Sequence, residues 1–152
     1  KSFGMSVIVY DPFIPEEVAD QLGVKLVSIE TIQAEADVIS LHLFANSANK
    51  HFFNRDFFKK LKKPVIFINV ARGSLVDEVA LIEALDEGKV IGAGLDVLES
   101  ENPDLSDNPF LKRDNVILSP HSAFYSQDSL NTLQVQTVKN AVAILKEYHH
   151  EI

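Results

Sequence analysis

Short apolar runs rich in valine and isoleucine alternate with longer segments of helical periodicity, and this alternation limits the possible folds more than any other feature. Continuous apolar runs are typical of strands buried on both faces, and successive strand and helix units give a parallel sheet. The sequence therefore predicts an α/β fold. The predicted strands are residues 6–10, 24–28, 37–43, 64–70, 90–97 and 115–119. The predicted helices are residues 15–22, 29–36, 54–61, 77–87 and 127–147.

Length and charge restrict the function classes. The chain has 152 residues, of which 46% are hydrophobic, and this is enough to form one folded domain with a real core. Its formal charge of −8 opposes binding to the phosphates of nucleic acids and to anionic membrane surfaces. We therefore expect small molecules as ligands, with no direct nucleic-acid or membrane partner.

Cysteine is absent, which excludes disulfides, thiolate catalysis and cysteine metal sites. There is also no apolar run of about 18 residues and no basic start followed by an apolar signal core. These features predict a cytoplasmic protein. His149 and His150 lie near the C-terminus without a spaced third ligand, so we expect no metal site.

The predicted helix at 77–87 has clear end signals. Asp77 can cap its first turn, Glu78 suits the positive end of the helix dipole, and Gly88 can end it. Two phenylalanine pairs at helical spacing, one just before and one within the predicted helix at 54–61, predict core positions, with a dimer contact as the alternative. These are Phe52, Phe53, Phe57 and Phe58.

Arg72 follows the predicted strand at 64–70 and precedes a helix. In an open parallel sheet, ligands bind in the crevice beyond the carboxyl ends of the strands, so Arg72 is expected to point there. A guanidinium offers two parallel donors that match a carboxylate. An ion pair with Asp77 or Glu78 at the start of the next helix is an equally good interpretation of Arg72 from the residues alone.

His121 follows the predicted strand at 115–119, again at a carboxyl edge. An imidazole with an ordinary pKa near about 6.5 can give or accept a proton at neutral pH. Glu99 and Glu101 lie in the acidic loop between Arg72 and His121, and either carboxylate can orient the ring and stabilise its cation. The pattern predicts a site with three charged groups.

Three ordered motifs carry a resemblance to a known family, namely NVARGSLVDEVALIEAL, GAGLDVLESEN and NVILSPHSAFYS. In this order they resemble the D-isomer-specific 2-hydroxyacid dehydrogenase family over nearly the whole chain. The resemblance implies a Rossmann-like, doubly wound parallel sheet and a catalytic trio of Arg72, Glu101 and His121. Glu99 is then the neighbour of the catalytic carboxylate, and Asn102 stands where the family usually has proline.

The resemblance also implies an NAD site. Asp96 is expected to meet the nicotinamide carboxamide, Val70 and Ala71 to flank the nicotinamide, and Asp11 to take the adenosine ribose hydroxyls. An acidic residue at that ribose favours NAD over NADP, because it repels a 2′-phosphate. Phe44 stands where proline is common in the family.

The family's phosphate-binding glycine loop is not found in these 152 residues, whose six glycines form no GxGxxG pattern. We therefore expect residues 1–147 to form a partial NAD-binding domain that lacks its first strand and its substrate domain, followed by a tail at 148–152. The doubly wound order places the missing strand between those at 6–10 and 37–43. This leaves three alternatives: the two halves close directly, another chain fills the gap, or the sequence is part of a larger fold.

The expected activity is NAD-dependent interconversion of a small 2-keto acid and a D-2-hydroxy acid by a homodimer. Arg72 would grip the substrate carboxylate, and His121, kept cationic by Glu101, would protonate the keto oxygen. Alone, this piece is expected to bind NAD weakly and to be inactive. The alternative function is a nucleotide-sensing interaction module like the family's corepressor branch.

Overall fold

The computed structural model describes residues 1–148, which form two compact units. The first unit is Lys1–Pro120, and the second begins at His121. The first unit contains every strand of the described chain and the shorter helices, and the second contains one long helix. His149 and His150, and with them most of the predicted C-terminal tail, lie outside the described residues.

All six predicted strands are present, each shorter than its apolar run. They are β1 (Ile8–Val9), β2 (Lys25–Leu26), β3 (Val38–Leu41), β4 (Val65–Asn69), β5 (Val90–Leu95) and β6 (Val116–Leu118). Every pairing between them is parallel. One sheet has the order β1-β2 and the other has the order β3-β4-β5-β6. The predicted α/β fold with parallel strands is confirmed.

All five predicted helices are also present. They are α1 (Glu16–Leu22), α2 (Ile29–Glu35), α3 (Arg55–Lys59), α4 (Glu78–Asp86) and α5 (Gln127–Tyr148), with short 3₁₀ turns at Gly73–Leu75 and Pro109–Lys112. The end signals of α4 are confirmed, because the Asp77 side chain accepts from the Ala80 N–H at 3.1 Å and Gly88 has a φ of +69°. The left-handed conformation at Gly88 suits glycine and ends the helix.

The gap between the two sheets is where the doubly wound order predicts a missing strand. Among the described residues, β1 pairs only with β2, and β3 pairs only with β4. The two halves therefore do not close directly on each other, which removes one of the three alternatives. The unpaired edges of β1 and β3 keep backbone groups that a further strand can pair with.

The core of the first unit lies on one face of the four-stranded sheet, under α3 and α4. It includes a phenylalanine cluster in which Phe53, Phe57 and Phe58 are buried against Phe67 of β4, with rings packed edge to face. The core interpretation of the phenylalanine pairs is thus confirmed, with Phe52 partly buried at the margin. Edge-to-face packing of aromatic rings adds to the energy of burying their area.

The prediction that the strands are buried on both faces is wrong for this chain. Burial alternates along β3 and β4, and outward-facing positions on all four strands are exposed. The physical reason is that α4 packs on β5 and α3 packs on α4, so these helices cover only the face that carries the core. The exposed apolar residues are Val38, Ile66, Ile91 and Ile117.

The second unit is dominated by α5, whose apolar residues are largely exposed. Leu133, Val138, Val142 and Leu145 all lie on the surface of this helix. None of the helices in the described part of the chain is both long enough and apolar enough to cross a membrane.

Candidate active site

A cleft of about 450 Å³ lies at the carboxyl ends of β3 and β4. This volume falls within the range of small-molecule sites, about 300–1,000 Å³. One wall comes from the segment after β3, residues 42–45, and the other from the turn after β4, including Val70, Ala71 and Arg72. Phe44 is 94% exposed on the first wall and presents an aromatic ring to the cleft. The position at a sheet's carboxyl edge is where open α/β folds bind ligands.

The turn after β4 is held in shape by a buried amide. Asn69 is 1% exposed, its Oδ1 accepts from the Ala71 N–H at 3.0 Å, and its Nδ2 donates to the Arg72 carbonyl at 3.0 Å. This side chain therefore replaces the backbone pairing that the turn loses when the strand ends. The result is a fixed backbone at Val70 and Ala71, the two residues predicted to flank a nicotinamide.

Arg72 lies on the cleft wall, and its Nη1 donates to the Ala71 carbonyl at 2.7 Å. The alternative ion pairs are not formed within residues 1–148. Asp77 instead caps α4, and the Glu78 Oε1 accepts from the Glu99 N–H at 2.7 Å. The ligand-facing role of Arg72 stays a prediction.

Asp96 follows β5 directly and is 4% exposed. Its backbone N–H donates to the Asn69 carbonyl at 2.9 Å, and its carboxylate accepts from the Ser119 hydroxyl. Ser119 is itself fixed, because its N–H donates to the Leu95 carbonyl at 3.0 Å. Asp96 is therefore a buried acceptor whose position is set by both neighbouring strands, β4 and β6.

Asp11 lies two residues after β1 and is half-buried. Its Oδ1 accepts from the Phe13 N–H at 2.8 Å, which fixes the side chain in the turn that Pro12 begins. The neighbouring Tyr10 ring stacks on Phe52 at a centroid distance of 6.3 Å. The carboxylate thus lies at the end of a strand, as predicted for a ribose-binding group.

The two glutamates of the acidic loop have different environments. The Glu99 Oε1 lies 2.8 Å from the His51 Nε2 and 3.3 Å from the Lys50 Nζ. The hydrogen bond from His51, reinforced by Lys50, holds the pKa of the Glu99 carboxyl below its ordinary value. Glu101, two residues further on, is exposed to solvent.

His121 opens the second unit with a left-handed backbone, at a φ of +51°. Its ring packs edge-on against Phe124 at a centroid distance of 6.1 Å. A non-glycine residue in this region costs of order 1–3 kcal/mol and is found preferentially at functional sites. The predicted meeting of His121 with Arg72 and Glu101 stays a prediction.

Three residues in or beside the site were not singled out from the sequence: Asn69, His42 and His51. His42 lies on the cleft wall with its Nε2 2.9 Å from the Ser40 Oγ. A polar residue closing an apolar run was the available signal for Asn69. Nothing local marked His51, whose partner Glu99 is 48 residues away.

Comparison with known proteins shows the family to which this chain is related. Residues 1–123 match the family model described as D-isomer specific 2-hydroxyacid dehydrogenase, NAD binding domain. The chain belongs to the D-isomer-specific 2-hydroxyacid dehydrogenase family. The match confirms the resemblance carried by the three motifs, and it assigns the described fold to the family's NAD-binding domain.

Curated relatives of this dehydrogenase family match nearly the whole chain. A D-3-phosphoglycerate dehydrogenase of Methanocaldococcus jannaschii is 44% identical over 93% of this chain and 28% of its own length. A glyoxylate reductase of Korarchaeum cryptofilum is 37% identical over 94% of this chain and 43% of its own length. The chain therefore spans less than half the length of either relative.

Solved structures of the family share the fold. D-2-hydroxyisocaproate dehydrogenase superposes with a TM-score of 0.86 at 32% identity, covering 96% of this chain and 47% of that one. D-lactate dehydrogenase of Aquifex aeolicus, solved with NAD and lactic acid, gives a TM-score of 0.83 at 34% identity, covering 99% and 49%. The Rossmann-like fold is thereby confirmed. These relatives are named as enzymes, which does not favour the corepressor-like alternative.

Proposed function

We propose that this chain is the NAD-binding part of an enzyme that interconverts a small 2-keto acid and a D-2-hydroxy acid. The observation that carries the proposal is Arg72 on the wall of the cleft, on a turn that buried Asn69 holds rigid. A guanidinium in this position suits a substrate carboxylate, because its donors can form two parallel hydrogen bonds.

The residues around the cleft fit a nicotinamide cofactor. Asp96 is a buried acceptor at a strand end, and Val70 and Ala71 give a fixed, mostly apolar wall. In this proposal Asp96 holds the carboxamide, Val70 and Ala71 flank the nicotinamide, and Asp11 holds the adenosine ribose. The carboxylate of Asp11 favours NAD over NADP by repelling a 2′-phosphate.

A nicotinamide cofactor held by these residues would supply the hydride that reduces the keto carbon. Arg72 binds the substrate carboxylate and polarises the keto group, which lowers the energy of the developing negative charge. His121, protonated, donates its proton to the keto oxygen as the hydroxyl forms. Glu101 stabilises the histidine cation before this transfer.

We further propose that the full protein is cytoplasmic and a homodimer. The absence of cysteine, and so of disulfides, fits a reducing compartment. Exposed apolar residues on α5, including Leu133, Val138 and Val142, support a second chain or domain against this helix. Light scattering of the full-length protein tests the dimer, and a monomeric mass would reject it.

Steady-state reduction of pyruvate, hydroxypyruvate and glyoxylate by the full-length protein tests the reaction. We expect His121→Gln to lower kcat by about 100- to 10,000-fold, the range for a lost general acid.

Arg72→Lys should lower kcat/KM strongly, because lysine cannot form the paired hydrogen bonds.

Arg55→Lys is the matched control for Arg72→Lys, since Arg55 forms an exposed ion pair with Glu83 away from the cleft. It should leave both kinetic constants near wild type. A His121→Gln variant with undiminished turnover would remove this histidine from the proposed role.

A further inference from the structure

One cluster lies outside the residues assigned to the reaction. The segment Lys50–His51 precedes α3, and it meets Glu99 in the loop after β5. The Glu99 carboxylate takes a hydrogen bond from the His51 ring at 2.8 Å and an ion pair from the Lys50 ammonium at 3.3 Å. The backbone N–H of Glu99 donates to the Glu78 Oε1 at 2.7 Å, at the start of α4. Glu99 is thus fastened to two different elements. We call Lys50, His51, Glu78 and Glu99 the loop clasp.

The loop clasp also contacts the turn that carries Arg72. The His51 N–H donates to the Ser74 carbonyl at 2.9 Å, and the Phe53 N–H donates to the Leu75 carbonyl at 3.0 Å. Gly73 touches the loop itself, because a Cβ built there would lie 1.9 Å from the Leu98 carbonyl oxygen. The backbones at Arg72–Ser74 and at Leu98–Glu99 are therefore in direct contact.

The backbone of His51 gives a second, independent sign. Its φ is +51°, and among the described residues only His121 shares such a value without being glycine. A histidine in this conformation carries a cost that glycine would avoid. The ring at His51 makes the hydrogen bond to Glu99.

We infer that His51 and Glu99 are positioning residues for the reaction, and this inference rests on the proposed function. The clasp holds the loop at Glu99, two residues before Glu101. The same part of the loop contacts Gly73, which follows Arg72. It thereby sets the placement of the carboxylate and the guanidinium that the reaction uses. Because misplacement of about 1 Å costs up to about 100-fold in rate, loosening this loop is expected to lower turnover.

The test uses the full-length protein and two variants, His51→Asn and Glu99→Gln. Asparagine tolerates a left-handed backbone but its side chain is too short for the His51 contact. We expect each variant to lower kcat with a keto acid by about 10- to 100-fold while the Kd for NADH stays within about twofold. The double variant should lose less turnover than the two single losses combined, because both changes act on the contact that His51 and Glu99 share. Amide hydrogen exchange over residues 98–102 should be faster in both.

Lys63→Met is the control, since it breaks the exposed ion pair of Lys63 with Asp37 at the opposite, amino end of the strands. It should change neither turnover nor exchange in residues 98–102. Unchanged exchange in the clasp variants would overturn the inference, as would faster exchange with wild-type turnover. Absence of keto-acid reduction by the wild type would instead reject the proposed function, while the exchange rates still decide whether the clasp holds the loop.

Discussion

Asn69 shows how one buried side chain can shape a site. Its amide spans the turn from Ala71 to Arg72, and its backbone carbonyl accepts from the Asp96 N–H. Three of the residues assigned to cofactor and substrate thus depend on this one buried residue. A buried polar group with all its partners present stabilises one conformation, and the same group with a partner removed is costly.

Asn69→Ala is expected to lower the free energy of unfolding by about 1–3 kcal/mol, because it leaves the Ala71 N–H and the Arg72 carbonyl without their partner. Urea unfolding followed by circular dichroism measures this change. Asn140→Ala, which removes an exposed amide on α5, is the matched control and should cost well under 1 kcal/mol. Equal losses in the two variants would contradict the prediction.

The sequence predicted Arg72 at the carboxyl edge of the sheet because it follows an apolar run, whereas the roles of Asp96 and Asp11 came from the family resemblance. It did not predict the Glu99 contact with His51, since a hydrogen bond across 48 residues leaves no local pattern. It also left the pairing of Arg72 open. Only the fold shows that Asp77 and Glu78 are engaged elsewhere.

At the scale of elements, α4 ends on an acidic residue that the helix dipole disfavours. Asp86 is the last residue of α4, and Arg113 binds it through two hydrogen bonds, Nη1 to Oδ1 at 2.6 Å and Nη2 to Oδ2 at 3.0 Å. This bidentate pair ties α4 to the segment that leads into β6. The hydrogen bonds from Arg113 lower the pKa of the Asp86 carboxyl below its ordinary value of 3.8.

A lowered pKa in the folded state gives stability that is present above pH 3.8 and is lost as the pH falls through the folded value. Asp86→Asn should therefore be less stable than wild type at pH 7, and the difference should shrink toward pH 3. Urea unfolding at several pH values measures it. Asp114→Asn, a change at a nearby exposed aspartate, should show no comparable convergence. A difference that grows on acidification would rule out the Arg113 pair as its source.

The predicted boundaries agree with the observed ones where a capping side chain or a glycine marks the end, and disagree where no such residue is present. Asp77 and Gly88 bracket α4 as predicted, whereas α3 ends at Lys59 rather than at 61. The strands are shorter than their apolar runs, because pairing ends when the neighbouring strand ends, and that is a property of the sheet. The sequence also did not predict that only one face of the sheet is buried, because an apolar run does not indicate which helices cover it.

At the scale of the whole molecule, the open edges of β1 and β3 separate the acidic residue after β1 from the cleft beyond β4. A dinucleotide has to span both, and the glycine pattern that would cradle its phosphates is not in these 152 residues. The parts of a cofactor site are present, and the segment that joins them is expected in the longer protein.

We therefore expect the 152-residue chain to bind NADH at least about 10-fold more weakly than the full-length protein, since each lost 1.4 kcal/mol is a tenfold change in Kd. Titration of NADH fluorescence measures both values. In the full-length protein, Asp96→Asn should weaken NADH binding relative to wild type. Equal affinity of the two lengths would contradict the expectation and would place the whole cofactor site within this chain.

The sheet with one covered face has a consequence for how this polypeptide accepts amino-acid changes. In a saturation library of the 152-residue chain, tolerance along β3 and β4 should oscillate with a period of two, permissive at Val38 and Ile66 and restrictive at Ile39 and Phe67. In a library of the longer protein, permissive sites that become restrictive would mark where the remaining polypeptide rests on this surface.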